Sequence, residues 1–281
     1  MLEARPYQAY KASGMPSIGD VPEHWRVFRI RNVCKLLVSN VDKNSNDDEI
    51  PVRLCNYVDV YKNDRITGRI AFMRATATQD EIDRFRPRVG DVIITKDSED
   101  WRDIGVPALV AYEAPDLVCG YHLALMRPRS DLVRGAYLFR VLQSQPVAYQ
   151  FQVSANGVTR YGLSHGAIKG VSIPLPPMDE QDAIVRVLNH VDRLIEKYAG
   201  VGAFIGKQAN AVFKRGLAGR GVALLGEYRT RLIADVVTGK LDVRVIAATL
   251  PDVADSEPIE EPEGIADFDE PQDAVDEEAA A

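Results

Sequence analysis

A cluster of prolines in Pro174–Pro177 divides the sequence into two parts with different hydrophobic patterns. Proline has no amide hydrogen to donate, so it interrupts both strand ladders and helix interiors. Short segments alternate with turn residues before the cluster, whereas the acidic residues of Met178–Gln181 directly after it suit the first turn of a helix. We therefore predict one globular domain in residues 1–175 and a helical arm in residues 176–243.

The part before the prolines mixes strand-like and helix-like segments. Segments that are rich in β-branched or aromatic residues and bounded by Gly, Pro, Asp or Asn are predicted as strands. They are Glu49–Val60, Val92–Thr95, Ala108–Tyr112, Leu117–Met126 and Val171–Pro174. Ala136–Gln145 and Pro146–Gln152 carry apolar residues at steps of three and four, which predicts two helices. This mixture predicts an α/β or α+β domain.

The part after the prolines predicts long helices of the coiled-coil type. Residues 178–198 carry one narrow apolar stripe with charged residues on the opposite face, a pattern that needs a partner helix. A second stretch with helical spacing follows after residue 221. The residues predicted to contact a partner helix are Ile184, Val187, Leu188, Val191, Leu194 and Ile195 in the first stretch, and Leu225, Tyr228 and Leu232 in the second.

Glycines weaken the helical pattern between these two stretches. Each glycine inside a helix costs about 1 kcal/mol relative to alanine, so we expect the arm to be interrupted near residues 216–221. Gly239 is expected to end the second helix. The two stretches form either one interrupted rod or a hairpin whose helices pack on each other, and the pattern leaves both arrangements open.

The charge of the chain is distributed unevenly. The net charge is -7, but residues 254–281 contain twelve acidic residues and no basic ones. Removing those twelve from the 41 acidic residues leaves 29 against 34 Lys and Arg, so residues 1–253 carry about +5. An acidic segment with few large apolar residues cannot bury enough surface to offset its ordering entropy. We therefore predict a disordered acidic tail in residues 244–281.

Three segments combine basic and small polar residues in predicted loops. The candidate contacts are Lys96 and Arg102 in the first loop, Asn156, Thr159, Arg160 and Tyr161 in the second, and Arg84, Arg86 and Arg88 in a third group. Arg, Lys and Asn side chains can bond base edges in a DNA groove, while Thr and backbone amides beside glycines can bond phosphates. These loops are therefore candidate contacts to double-stranded DNA.

The sequence contains no recognisable constellation for catalysis. It lacks the G-x-G-x-x-G, P-loop, H-E-x-x-H and G-x-S-x-G motifs, and Cys34, Cys55 and Cys119 are widely spaced, as expected for reduced thiols. An acidic cluster of Asp97, Glu99, Asp100 and Asp103 leaves a small metal-dependent nuclease open as an alternative, although a solvated loop also explains it. We expect no catalytic residue, no metal site and no cofactor in this chain.

The sequence also predicts a cytoplasmic protein without a membrane segment. No apolar run approaches the roughly 18 to 20 residues that a membrane span needs. The N-terminal residues lack the apolar core of a secretory signal peptide.

Several segments, taken in order, resemble the DNA-specificity (S) subunit of Type I restriction-modification systems. The opening YKASGMPSIGDVPEHWRVFRIRNV resembles the entry to a target-recognition domain, VGDVIITKDSEDW its strand and polar loop, and NGVTRYGLS the loop near its end. VSIPLPPMDEQDAIVRVLNHVDRLI resembles the join to the conserved helix of the family, and LLGEYRTRLIADVVTGKLDVR its C-terminal helix. The resemblance covers most of residues 9–244.

The resemblance implies a non-catalytic subunit that reads DNA for an enzyme complex. Its helices are expected to dock a methyltransferase (M) subunit, which binds S-adenosylmethionine and flips the target adenine out of the duplex. An ATP-dependent restriction (R) subunit is expected to join for cleavage. S-adenosylmethionine, ATP and Mg²⁺ are therefore expected on the partner subunits.

The sequence departs from the family in length. A usual S subunit has two recognition domains and two antiparallel helices, whereas this sequence has one recognition domain and no second copy of VPEHW, VTRYGLS or PPMDEQ. We expect this half-length form to pair with a second half through its helix stripe, most simply as a homodimer, or to be a fragment that needs a different half.

Two further alternatives remain at this point. One is the metal-dependent nuclease. The other is a coiled-coil antirestriction adaptor whose acidic tail occupies a partner. The tail by itself would either keep the protein soluble or act as an autoinhibitory DNA mimic that competes for a basic face.

Overall fold

The computed structural model describes residues 5–208 and 219–251. Its strands are β1 (Tyr10–Ala12), β2 (Asp20–Pro22), β3 (Arg26–Arg29), β4 (Cys34–Val38), β5 (Ile50–Cys55), β6 (Arg65–Ile66), β7 (Met73–Ala77), β8 (Val92–Thr95), β9 (Asp97–Ser98), β10 (Pro107–Val110), β11 (Leu117–Cys119), β12 (Leu123–Pro128), β13 (Tyr161–Gly162) and β14 (Ser172–Leu175). Its helices are α1 (Ile30–Val33), α2 (Tyr57–Lys62), α3 (Gln79–Phe85), α4 (Gly135–Gln143), α5 (Gln145–Ser154), α6 (His165–Gly170), α7 (Met178–Gln208), α8 (Gly219–Val237) and α9 (Arg244–Thr249). A short 3-10 helix spans Trp101–Asp103.

Strands β4, β12, β8, β10 and β6 form a five-stranded sheet in that order, and β11, β5 and β7 form a second sheet. Successive side chains of a strand point to opposite faces of its sheet. Along β8, Val92 and Ile94 accordingly belong to one apolar core, and Ile93 belongs to the other. The second core also takes residues from β5 and β11, whereas the first takes residues from α4 and α7. The central sheet is therefore buried on both faces, which confirms a mixed α and β fold.

The start of α7 is built into the first core. The buried Glu180 carboxylate accepts hydrogen bonds from the Tyr7 hydroxyl (3.0 Å) and the Trp25 indole (2.9 Å), and Arg244 donates to it at 3.4 Å. The next residue, Gln181, is fully buried and donates to the backbone oxygens of Leu132 and Pro176. The acidic first turn thus connects the N-terminal segment to α9, besides suiting the helix dipole.

The domain boundary that we predicted after residue 175 does not separate two bodies. Strand β14 pairs antiparallel with β3 just before the prolines. Ile184, Val187 and Leu188 of α7 are buried in the same core as the sheet, together with Ile233 and Val236 of α8. Contacts group residues 1–250 into one compact unit and residues 251–281 into a second, most of which lies outside the described residues.

The two long helices pack on each other, as in the hairpin alternative. Helix α7 contacts α4, α8 and α9. Asp192 of α7 accepts hydrogen bonds from Arg229 of α8 (2.7 Å) and from the almost fully buried Arg140 of α4 (2.6 Å). The interruption predicted near residues 216–221 was wrong for residues 219–221, which are helical, while residues 216–218 lie outside the described part of the chain.

Helix α8 ends just before Gly239, as predicted, but a further short helix follows where we predicted a disordered tail. Gly239 has φ = +76°, and a Cβ atom there would lie 2.2 Å from the Pro22 ring, so glycine is required both for the backbone turn and for this close approach. The prediction that the tail begins at residue 244 was wrong for Arg244–Thr249, which form α9 and pack on α7. Residues 252–281 lie outside the described residues.

Two of the predicted strands were too long. The segment Glu49–Val60 ends its strand at Cys55 and continues as α2, where the Asn56 and Asp59 side chains form a capping box. The segment Leu117–Met126 contains two strands, because His122 takes a positive φ of 71° between them. Within the described part of the chain, no helix is long and apolar enough to cross a membrane.

Candidate functional site

Two polar loops that are far apart in the sequence lie side by side in the structure. Strand β9 pairs antiparallel with β13, with Ser98 opposite Tyr161 and Asp97 opposite Gly162. The backbone amide of Leu163 also donates to the backbone oxygen of Lys96 at 2.9 Å. Residues 96–103 and 154–162 therefore form one continuous surface, which we call the paired-loop face.

The paired-loop face contains six of the nine residues predicted to contact DNA. The Arg102 side chain is 68% exposed and lies over the Trp101 ring, with 4.9 Å between the guanidinium carbon and the ring centre. The backbone of Arg102 is anchored to α5, because its backbone oxygen accepts a hydrogen bond from the Gln152 side chain (3.1 Å). Asn156, Thr159 and Arg160 are exposed, while Lys96 and Tyr161 are half-buried.

Asp97 connects Lys96 and His122 beneath the paired-loop face. Its Oδ2 atom lies 2.7 Å from Nδ1 of His122 and also accepts a hydrogen bond from the Lys96 ammonium group. Burial by itself would raise the pKa of Asp97, but the hydrogen bonds from Lys96 and His122 outweigh burial and hold that pKa below its ordinary value. Asp97 therefore stays ionised near neutral pH and partly neutralises Lys96.

The loop between Asn156 and Gly162 is a small, exposed hairpin, here called the 156–162 hairpin. The backbones of Asn156 and Gly162 exchange two hydrogen bonds of 3.1 and 2.8 Å. Gly157 has φ = +144°, and a Cβ atom there would lie 1.9 Å from the backbone oxygen of Arg160. Only glycine fits this position, so the turn that carries Arg160 depends on Gly157, while the two hydrogen bonds hold its ends together.

Sequence reasoning missed a group of aromatic residues beside this face. Tyr57 and Tyr61 of α2 stack with ring centres 5.6 Å apart. The Tyr57 hydroxyl reaches Ser98 of β9 at 3.5 Å, and the Tyr61 hydroxyl donates to Asp103 at 3.0 Å. Their spacing of four residues places both rings on one side of a helix, but residues 57–60 of α2 were predicted as the end of a strand, which hid this pattern.

Three of the four carboxylates of the nuclease alternative are bonded to other groups. Asp97 is engaged by Lys96 and His122, Asp100 accepts the backbone amide of Arg102, and Asp103 accepts the Tyr61 hydroxyl. No group of three or more His, Cys, Asp or Glu residues that could hold a metal ion occurs among the residues that the structure describes.

Arg84, Arg86 and Arg88 lie away from the paired-loop face. Arg84 is in α3, which packs against β11, and the backbone oxygen of Arg86 accepts a hydrogen bond from Arg127. Arg88 precedes the first residue of β8, whereas Lys96 follows the last one. The third basic group therefore lies at the opposite end of β8 from the other two.

The stripe predicted to contact a partner helix divides into two parts. Ile184, Val187 and Leu188 were wrongly assigned to a partner, because they are buried against the chain's own core. The later members are more accessible. Val191, Ile195, Leu225 and Leu232 are half-buried, and Leu194 and Tyr228 are exposed.

The sequence of this chain is similar to sequences of known proteins. The Type I restriction modification DNA specificity domain matches residues 22–199. A Methanocaldococcus jannaschii protein, named as the specificity subunit of the type I restriction enzyme MjaX, is 23% identical over 180 residues, which are 63% of this chain and 42% of that protein.

Two solved structures are similar to this chain at low sequence identity. The HsdS subunit from Thermoanaerobacter tengcongensis is 20% identical with a TM-score of 0.44, covering 83% of this chain and 48% of that one. A chain from a study of the assembly and conformational transition of the type I R-M system is also 20% identical, with a TM-score of 0.48, covering 79% of this chain and 48% of that one. The chain thus spans about half the length of the relatives that it matches.

Proposed function

The chain belongs to the family of type I restriction-modification DNA specificity domains, and from this we propose that it reads one part of a DNA target for an adenine methyltransferase. Members of the family are DNA-recognition subunits without a catalytic centre, so the chain is not itself an enzyme. The proposal places base reading on the paired-loop face and partner docking on the long helices.

One observation carries the choice of this face. The pairing of β9 with β13 joins two loops, 96–103 and 154–162, that were selected separately for their polar and basic residues. Arg102, Asn156, Thr159 and Arg160 extend from the joined surface into solvent. Arginine and asparagine can read guanine and adenine through paired hydrogen bonds, and threonine can bond phosphates. Arg84, Arg86 and Arg88 lie away from this face, and for them we propose only contacts to DNA phosphates.

The proposal assigns the chemistry to other subunits. A methyltransferase (M) subunit would bind S-adenosylmethionine, and a restriction (R) subunit would use ATP and Mg²⁺, while this chain would hold none of them. Because the chain spans about half the length of its relatives, it would pair with a second half in order to read a target in two parts. Its place of action would be the cytoplasm.

The proposal is tested by mapping methylated adenine across the genome of cells with and without the gene for this chain. We expect one sequence motif to lose its modification when the gene is deleted and to regain it when the gene is restored. Restoring a gene that carries both Arg102→Ala and Arg160→Ala should leave the motif largely unmodified. An unchanged methylation pattern after deletion would contradict the proposal.

A further inference from the structure

The 156–162 hairpin projects from the body of the protein and keeps a fixed shape. All five residues from Asn156 to Arg160 are exposed, yet the ends of the hairpin are held by hydrogen bonds and by the pairing of Tyr161 with Ser98. This turn requires glycine at position 157, as described above. A narrow projection of this kind is suited to entering a groove of a larger partner.

Val158 is the unusual residue of this hairpin, because its side chain is 90% exposed at the tip. Single exposed apolar residues are common on protein surfaces and need no explanation by themselves. Here, however, the valine is held on a fixed turn, and the residues beside it, Thr159 and Arg160, are polar residues of the type that contact DNA. Because of this position, DNA is the candidate ligand of the Val158 side chain.

The chemistry of DNA identifies that ligand. The major groove is about 12 Å wide and admits a two-stranded β-ribbon, whereas the minor groove is about 6 Å wide. Among the base edges, only thymine presents an apolar group, its C5-methyl, and it does so in the major groove. We propose that the 156–162 hairpin enters the major groove and that Val158 contacts the C5-methyl group of a thymine in the target. This inference rests on the proposed function and adds a specificity-determining residue to it.

The test uses deoxyuridine, which lacks the thymine methyl group but keeps the same hydrogen bonds. The full chain, purified with its accompanying methyltransferase, is titrated with a duplex that carries the mapped motif, and the thymines of the motif are replaced one at a time. We expect one replacement to weaken binding about fourfold, the loss expected for one buried methyl group.

Variants connect that loss to the valine. Val158→Ala should bind the thymine duplex about fourfold more weakly than the wild type, and the same replacement should then cause no further loss. Val153→Ala, at another exposed valine on α5, should retain the fourfold difference. Because both side chains are exposed, neither change should affect folding.

Two results would overturn the inference. The wild type could bind every uridine duplex as well as the thymine duplex; if Val158→Ala then binds both duplexes equally weakly, Val158 acts as a wedge between base pairs. Alternatively, Val158→Ala could keep the fourfold difference. Absence of any methylation motif would instead contradict the proposed function and remove this inference with it.

Discussion

At the scale of single residues, Asp192 connects the long helices to the rest of the compact unit. Its carboxylate bonds Arg140 of α4 and Arg229 of α8, and Arg140 is almost fully buried. Burial alone would raise the pKa of Asp192, but the hydrogen bond from Arg229 and the charges of both arginines lower it overall. Asp192 is thus ionised and supplies a negative charge to both arginines.

We predict that Asp192→Asn lowers the free energy of unfolding by about 3 kcal/mol at neutral pH, because it leaves a buried arginine without its counter-charge. The pKa of Asp192 is lower in the folded chain than in the unfolded chain. Its stabilising contribution is therefore complete above the ordinary aspartate pKa of about 3.9 and is lost as the pH falls through the folded value.

Urea denaturation measured between pH 2 and pH 7 checks this prediction. The difference in stability between the wild type and Asp192→Asn should shrink as the pH falls below about 4. Asp131→Asn, which removes an exposed ion pair with Arg129, should change stability by less than about 1 kcal/mol. A difference that stays constant with pH would show that the charge of Asp192 is not responsible.

The sequence suggested the residues of the candidate site but not how they are arranged. Lys96, Arg102, Asn156 and Arg160 were selected because polar and basic residues in loops can contact DNA, but nothing in their spacing reveals that β9 pairs with β13. A contact between segments about 60 residues apart depends on how the central sheet places both of them, and local patterns do not encode it.

At the scale of elements, the 156–162 hairpin depends on one glycine. We predict that Gly157→Ala lowers affinity for motif DNA at least tenfold, because its Cβ atom would overlap the backbone oxygen of Arg160 and force the turn to change. The thermal unfolding temperature should fall only slightly, since the hairpin is exposed. Gly166→Ala in α6, where the nearest neighbouring atom would be 3.7 Å from the new Cβ, is the matched control for DNA binding.

Calorimetry and DNA titration distinguish the possible outcomes for this hairpin. Normal DNA affinity in Gly157→Ala would show that the fixed turn has no part in recognition. An equal loss of affinity in Gly166→Ala would show that small changes anywhere in this region weaken binding.

Helix patterns in the sequence were informative about location but not about partners. The proline cluster and the acidic turn located the start of α7, and the spacing of apolar residues predicted helices close to α4 and α5. The same apolar stripe fits any neighbouring helix, so it could not show that Ile184, Val187 and Leu188 pack on their own chain. Helix α9 was missed because its short sequence adjoins an acidic segment whose composition favours disorder.

At the scale of the whole molecule, the accessible part of the helical hairpin limits where a second S half could pair. Leu194 of α7 follows the Asp192–Arg229 pair, while Leu224 and Tyr228 of α8 precede it, so all three exposed residues lie toward the same end of the hairpin. Leu224 and Tyr228 are four residues apart and share one side of α8. Apolar residues grouped in this way favour association with another helix.

We predict that Leu224→Glu shifts the chain toward the monomer in sedimentation velocity at low micromolar concentration, because a charge at a helix contact opposes pairing. Circular dichroism should remain that of the wild type, since Leu224 is 66% exposed. The matched control is Val245→Glu on α9, where the valine is 64% exposed. A wild-type chain that sediments as a monomer at all concentrations would contradict pairing through this surface.

The central claim is that the paired-loop face of this molecule reads DNA, and the most direct measurement is the salt dependence of binding to motif DNA. The double variant Arg102→Ala/Arg160→Ala should bind much more weakly, and the slope of log affinity against log salt should fall by about two, close to one for each charge removed. Arg129→Ala, at the far end of β12 from this face and 57% exposed, should leave both quantities unchanged. Wild-type affinity and slope in the double variant, or an equal loss in Arg129→Ala, would contradict the claim.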